Sequence, residues 1–162
     1  MRAKEVIELL GLEPLTVEGG FFKEVYRSGV MAADGQRCSG TSIYYLMTEK
    51  DVSAWHKVES DEIWAYHGGI PAVQMLVFPD GKFEKRIIGN DLEKGHVPQS
   101  IIPAGTWQAA TLIEQSDEEL WGLFGAAVFP GFEYGDFTGA TVEKVVELFP
   151  QLEKEITGFL SK

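Results

Sequence analysis

The chain has 162 residues, a formal net charge of −11, 44% hydrophobic residues and 24% charged ones. That length favours one domain with a sizeable core, and the balance argues against disorder. The acidity argues against nucleic-acid partners, whose phosphates call for Lys and Arg, and against anionic membrane surfaces. Cys38 is the only cysteine, so an intrachain disulfide and a cysteine-based zinc knuckle are both excluded.

The first predicted element is a helix over about residues 2–11, where Ala3, Val6, Ile7 and Leu10 recur at helical spacing and Gly11 offers a stop. Glu5 and Glu8 inside that pattern are unlike a secretory segment. The longest uncharged stretch, Leu120–Phe132, is too short for a membrane-spanning helix, and a cytoplasmic location is expected. From about residue 18 to 129 short β-type runs follow one another: Phe21–Arg27, Thr41–Met47, Ala54–Lys57, Glu62–His67, Ala72–Phe78, Phe83–Ile88, Ser100–Ile102, Trp107–Glu114 and Leu120–Val128. Turn signals separate them, and Pro79-Asp80-Gly81 is the clearest hairpin. Asp117-Glu118-Glu119 reads as a solvated hairpin tip. Helix returns over about 141–160, with Thr141 as N-cap to a stripe of Val142, Val145, Val146 and Phe149. A weaker stripe of Leu152, Ile156, Phe159 and Leu160 follows. Residues 1–162 thus read as one mainly β domain, a sandwich or barrel with helices at both ends.

The chemistry is concentrated between Ala54 and Gly69 and again at Pro103–Gln108. Residues two apart on a strand share a face, so His56 and Val58 look into one interior. Glu62, Trp64 and Tyr66 do so from the next strand, and the Pro103-Ala104-Gly105 turn sends Gln108 inward from another.

These spacings resemble the two cupin motifs. His56, Val58, Glu62 and Gly69 stand where cupins carry His, His, Glu and Gly, and Gln108 stands where the second motif carries its last His. A closer resemblance is to the fifth cupin family, long catalogued as a domain of unknown function. It rests on Glu18-Gly19-Gly20-Phe21-Phe22 through Ser28, Thr41–Leu46, Asp61–Trp64, Pro103–Ala110, Pro130–Phe137 and Leu148–Pro150, in that order. Ala65 departs from the pattern, which often has His there. The resemblance implies a jelly roll, usually dimeric, with a pocket inside the barrel. It supplies no established reaction; related folds include sugar epimerases and isomerases, dioxygenases and plain binding proteins.

Several readings stand side by side. Cupin metal sites generally use three His and a Glu. Val58 has no donor atom and a neutral amide is a poor ligand, so no resident cofactor is expected, with weak metal binding through His56 and Glu62 left open. His67 and His96 lie out of phase or in a polar loop. His56 and Glu62 are the candidate acid–base pair; otherwise they satisfy one another structurally. Gln108 is a candidate hydrogen-bonding anchor. Trp64 and Tyr66 are candidate pocket walls, with Tyr26, Tyr45 and Glu133 as further ligand-binding candidates. Phe132 and Phe137 read as a cover joining barrel to helix. The expected function is binding of a sugar-like or nucleotide-sugar-like molecule inside the barrel. It is either with metal-independent isomerase or epimerase chemistry, as a non-catalytic binding module, or as an unusual metal enzyme. A homodimer is expected, both from the resemblance and because adjacent Phe21 and Phe22 offer apolar groups to both faces of their strand.

Overall fold

The computed structural model describes residues 1–113 and 120–158. Glu114, the Asp117–Glu119 cluster, Phe159 and Leu160 lie outside the described residues. Helix α1 spans Ala3–Leu10 and ends on Gly11 in the left-handed conformation. The strands are β1 (Glu13–Pro14), β2 (Phe21–Arg27), β3 (Thr41–Thr48), β4 (Ser53–Val58), β5 (Asp61–Gly69), β6 (Ala72–Val77), β7 (Phe83–Ile88), β8 (Gln99–Ile102), β9 (Trp107–Leu112), β10 (Trp121–Phe129) and β11 (Phe137–Gly139). Helices α2 (Val142–Leu148) and α3 (Glu153–Gly158) follow. The strands form two antiparallel sheets, ordered β1-β2-β3-β10-β5-β8 and β11-β4-β9-β6-β7. Among the described residues no helix is long and apolar enough to cross a membrane.

The sheet that holds β6 and β9 is covered on both faces there, which explains why these two strands are buried along their whole length. Alternate residues of β6 and β9 diverge. Leu76, Ala110 and Leu112 enter the core between the sheets with Trp64 and Phe124. Val73, Met75, Val77 and Trp107 instead pack outward against Val145 of α2 and Ile156 of α3. On the other sheet, α1 places Val6 beside Leu46, with Phe21 against them. Phe22 turns the other way, onto the core between the sheets. Both phenylalanines are therefore covered within the chain, and the case for a partner shifts to the outer half of β2. There Val25 and Tyr26 are 46% and 58% exposed beside an edge that β1 pairs only as far as Phe22.

Two local devices position the site. In β4, Ser53 pairs with Ala110 and His56 with Gln108, so three residues on one strand answer two on the other. This bulge turns both Ser53 and His56 toward the barrel interior, where simple alternation would send them to opposite faces. The second device is Gly19-Gly20, both at positive φ. A side-chain carbon at Gly19 would stand 2.3 Å from the Val52 carbonyl oxygen. Only glycine lets the chain press this closely against the start of β4 and carry Glu18 into the barrel.

Candidate functional site

A cavity of about 220 Å³ opens at one end of the barrel. His56 and Val58 reach it from β4, Glu62 from β5, and Glu18 from the loop before β2. Phe132, Glu133, Tyr134 and Phe137 close over it from the segment that follows β10. Phe137 stacks on the His56 ring, centroids 5.2 Å apart. Phe132 and Phe137 are thus cavity walls as well as the cover expected of them.

His56 is 3% exposed. Its Nδ1 lies 2.7 Å from the Ala54 carbonyl oxygen. A carbonyl can only accept, so the neutral ring carries its proton on Nδ1 and presents an Nε2 lone pair to the cavity. Nε2 makes no hydrogen bond among the described residues; Glu18 Oε2 stands 3.7 Å away, beyond that range. The other Glu18 oxygen accepts from Ser53 Oγ at 2.5 Å.

Glu62 is not paired with His56. Its Oε2 accepts from Gln108 Nε2 at 2.6 Å and its Oε1 from Trp64 Nε1 at 3.1 Å. Burial pushes the Glu62 carboxyl above its ordinary range, with Glu18 adding to the push, while His56 and the Gln108 and Trp64 donors pull back. Glu62 is therefore a carboxyl suited to holding a proton beside the cavity.

The orientation of Gln108 is dictated from outside the barrel. Arg86 can only donate, and it donates to Ser100 Oγ at 2.9 Å. The Ser100 hydroxyl then donates to Gln74 Oε1 at 2.6 Å, and Gln74 Nε2 reaches Gln108 Oε1 at 3.5 Å. Every donor in this chain points toward Glu62, so Gln108 turns its NH₂ to the carboxylate and has its oxygen engaged. The residues do not fit a metal of the usual cupin kind. Val58 offers no donor, Gln108 presents N–H groups, and both Glu62 oxygens are already accepting. Among the described residues no three His, Cys, Asp or Glu are grouped to hold a metal ion.

Of the other candidates, Glu133 lines the cavity and accepts from Arg27 at 2.9 Å. Gln108 lies behind the wall, bonded to Glu62. Trp64 and Tyr66 share the face of Glu62 but sit deeper, against Phe124 in the core, so they do not wall the cavity. Tyr45 is also core, its hydroxyl donating to the Gly19 carbonyl at 2.9 Å. Tyr26 is exposed on β2, outside the cavity. His67 packs edge-on to Tyr44 and His96 lies beside Gly89, both away from the cavity. Sequence reasoning missed Glu24 and Arg27 at the rim and, beside His56, Glu18; no spacing singled out the first two, whereas Glu18 carried a signal. Its signal was its place at the head of the Glu18-Gly19-Gly20 motif, where two glycines fix a close backbone approach.

Two facing antiparallel sheets with an inward polar group at one end define a jelly roll of the cupin type. The chain belongs to the family described as the cupin superfamily group DUF985, whose pattern matches residues 4–140. It is 31% identical to the uncharacterized protein YML079W of Saccharomyces cerevisiae, over 75% of this chain and 67% of that one. It is similar to the solved structure of protein SO0799 from Shewanella oneidensis, with 30% identity and a TM-score of 0.85 over 97% of this chain and 96% of that one. Oxalate decarboxylase from Bacillus subtilis shares the fold, with 16% identity and a TM-score of 0.56 over 90% of this chain and 36% of that one.

Proposed function

We propose that this cupin binds a small molecule inside its barrel and moves a proton on it without a metal, as an isomerase or epimerase does. The observation that carries the reading is the His56 Nε2 lone pair, which makes no hydrogen bond among the described residues and faces the same cavity as Glu62. His56 takes a proton from the bound molecule as general base. Glu62, whose burial favours the protonated form, returns one at a second position. Glu18 stands beside His56 to stabilise the imidazolium that forms. Gln108 and Trp64 hold the Glu62 carboxyl in place by hydrogen bonds. One proton is taken and one given, so the product is an isomer of the substrate.

The cavity, at about 220 Å³, is smaller than the roughly 300–1,000 Å³ typical of drug-sized ligands. That supports a molecule the size of a single small ring over a nucleotide sugar. The test is a ligand screen by protein NMR with sugars, nucleotide sugars and small acids, followed by incubation of each hit in D₂O. Shifts clustered at His56, Glu62 and Phe137, with deuterium entering the hit at carbon, are expected. Binding there without exchange reduces the site to a binding module, and hits that cluster elsewhere overturn the reading.

A further inference from the structure

The cavity is unequal in charge: four carboxyl groups, Glu18, Glu24, Glu62 and Glu133, face one guanidinium, Arg27. Arg27 has no donor to spare. Its Nε and one terminal nitrogen hold Glu24 at 2.9 Å each, and that terminal nitrogen also reaches the Phe132 carbonyl at 3.1 Å. The other terminal nitrogen donates to Glu133 at 2.9 Å and to Cys38 Sγ at 3.7 Å. All five N–H groups of a guanidinium are thereby committed, and an anionic ligand finds no cation to pair with.

Deeper in, the groups that face the cavity are acceptors. The His56 Nε2 lone pair and Glu18 Oε2 stand 3.7 Å apart with no hydrogen bond between them. Two acceptors at that separation are bridged by a donor that reaches both. The remaining wall is largely apolar, with Phe22, Ile43, Val58, Val128, Phe132 and Phe137. Such a wall suits a hydrocarbon body and offers aromatic faces to a cation, whereas a polyol would leave its hydroxyls unpaired against it.

We propose that the cavity selects a primary ammonium group carried on a small apolar body, with the ammonium seated between Glu18 Oε2 and His56 Nε2. The inference rests on the reading of this cavity as a small-molecule site; an ammonium seated on Nε2 occupies the lone pair that acts as base, so the amine is a ligand the site selects and not the molecule on which the proton moves. An ammonium supplies three donors and a positive charge, answering both acceptors at once. The net charge of −11 over the whole chain adds a long-range pull of the same sign.

Benzylamine, benzyl alcohol and benzoate have nearly the same shape and differ in charge. Each is titrated at pH 7 into isotopically labelled protein, with shifts followed at the cavity residues. Benzylamine is expected to bind about tenfold more tightly than benzyl alcohol, the scale of one charge-assisted hydrogen bond, and benzoate to leave the cavity unshifted. In Glu18→Gln, where Ser53 can still donate to the amide oxygen, the amine preference should fall to about onefold if the ammonium contact is lost. Glu133→Gln, at the rim, serves as a second variant and should reduce it less. Benzyl alcohol binding as tightly as benzylamine, or benzoate binding in the cavity, overturns the cation preference while leaving a small-molecule site in place. Failure of all three probes to move cavity resonances overturns the inference outright, as does an amine preference unchanged in Glu18→Gln.

Discussion

Replacing Gln108 with Leu removes the donor on Glu62 Oε2 and the acceptor of Gln74 Nε2, both inside the barrel. A buried polar group left without a partner costs about 1–3 kcal/mol, and Leu recovers little because it faces polar neighbours, so Gln108→Leu should lose about 2–4 kcal/mol at neutral pH. For a chain of this size that lowers Tm by about 5–15 °C. The loss should also depend on pH, with a definite sign. Glu62 is already raised above the ordinary carboxyl range by burial, and the Gln108 donor is among the groups that lower it. Removing that donor raises it further. A carboxyl with a higher pKa folded than unfolded makes folding take up a proton, so stability is fully present below the ordinary carboxyl range and falls as pH rises through the raised value. The deficit of Gln108→Leu should therefore grow from pH 4 to pH 8, leaving about 1–2 kcal/mol at the acid end from the orphaned Gln74 amide. Calorimetric unfolding of both proteins across that range measures it. An equal deficit at every pH, or one too small to measure at pH 8, would refute the hydrogen-bond chain as drawn.

His56→Ala should cost only about 1–2 kcal/mol, measured by thermal unfolding, because Glu62 keeps both its donors and only the Ala54 bond and the Phe137 stack are lost. The same variant should abolish ligand response, and a loss of about 3–5 kcal/mol would mean instead a buried ion pair broken. Gly19→Ala should push the backbone away from Val52 and withdraw Glu18 from the cavity, weakening amine binding more than it lowers Tm; unchanged binding contradicts the role given to the glycine pair. Elemental analysis of untagged, chelator-dialysed protein should show less than about half a transition metal per chain, whereas Val58→His with Gln108→His should bind one more tightly. Sedimentation should show a symmetric homodimer built on the exposed half of β2, weakened by Tyr26→Lys; a monomer across micromolar concentrations rejects it.

Much of the barrel is legible in the sequence because turn chemistry punctuates it. Phe21–Arg27 and Phe83–Ile88 coincide with β2 and β7, and the other β runs that lie within the described residues differ by one or two residues at their ends. The short β1 and β11 carry no alternation to read: two and three residues are fewer than a pattern needs. At the site, parity identifies a face but not a depth. Trp64 and Tyr66 share the face of Glu62, yet β5 carries them inward to the core and leaves Glu62 alone at the cavity. The β4 bulge defeats parity altogether, since Ser53 and His56 are an odd number apart and still face inward together. Glu18 is out of reach of any strand rule, lying in a loop whose course is set by close contact with Val52. The direction of the Gln108 amide depends on Gln74, Ser100 and Arg86, which come from three different strands or their ends and meet only in the folded barrel.

The central claim is that a ligand meets the Nε2 lone pair of His56. The chain has three histidines, so the ring nitrogens can be assigned one by one in long-range ¹H–¹⁵N spectra. Without ligand, His56 should show its proton on Nδ1. On titration with the tightest molecule from the screen, the His56 Nε2 resonance should shift saturably with one molecule per chain while His67 and His96 stay still. A ligand that saturates the protein and leaves the His56 ring unmoved would contradict the account.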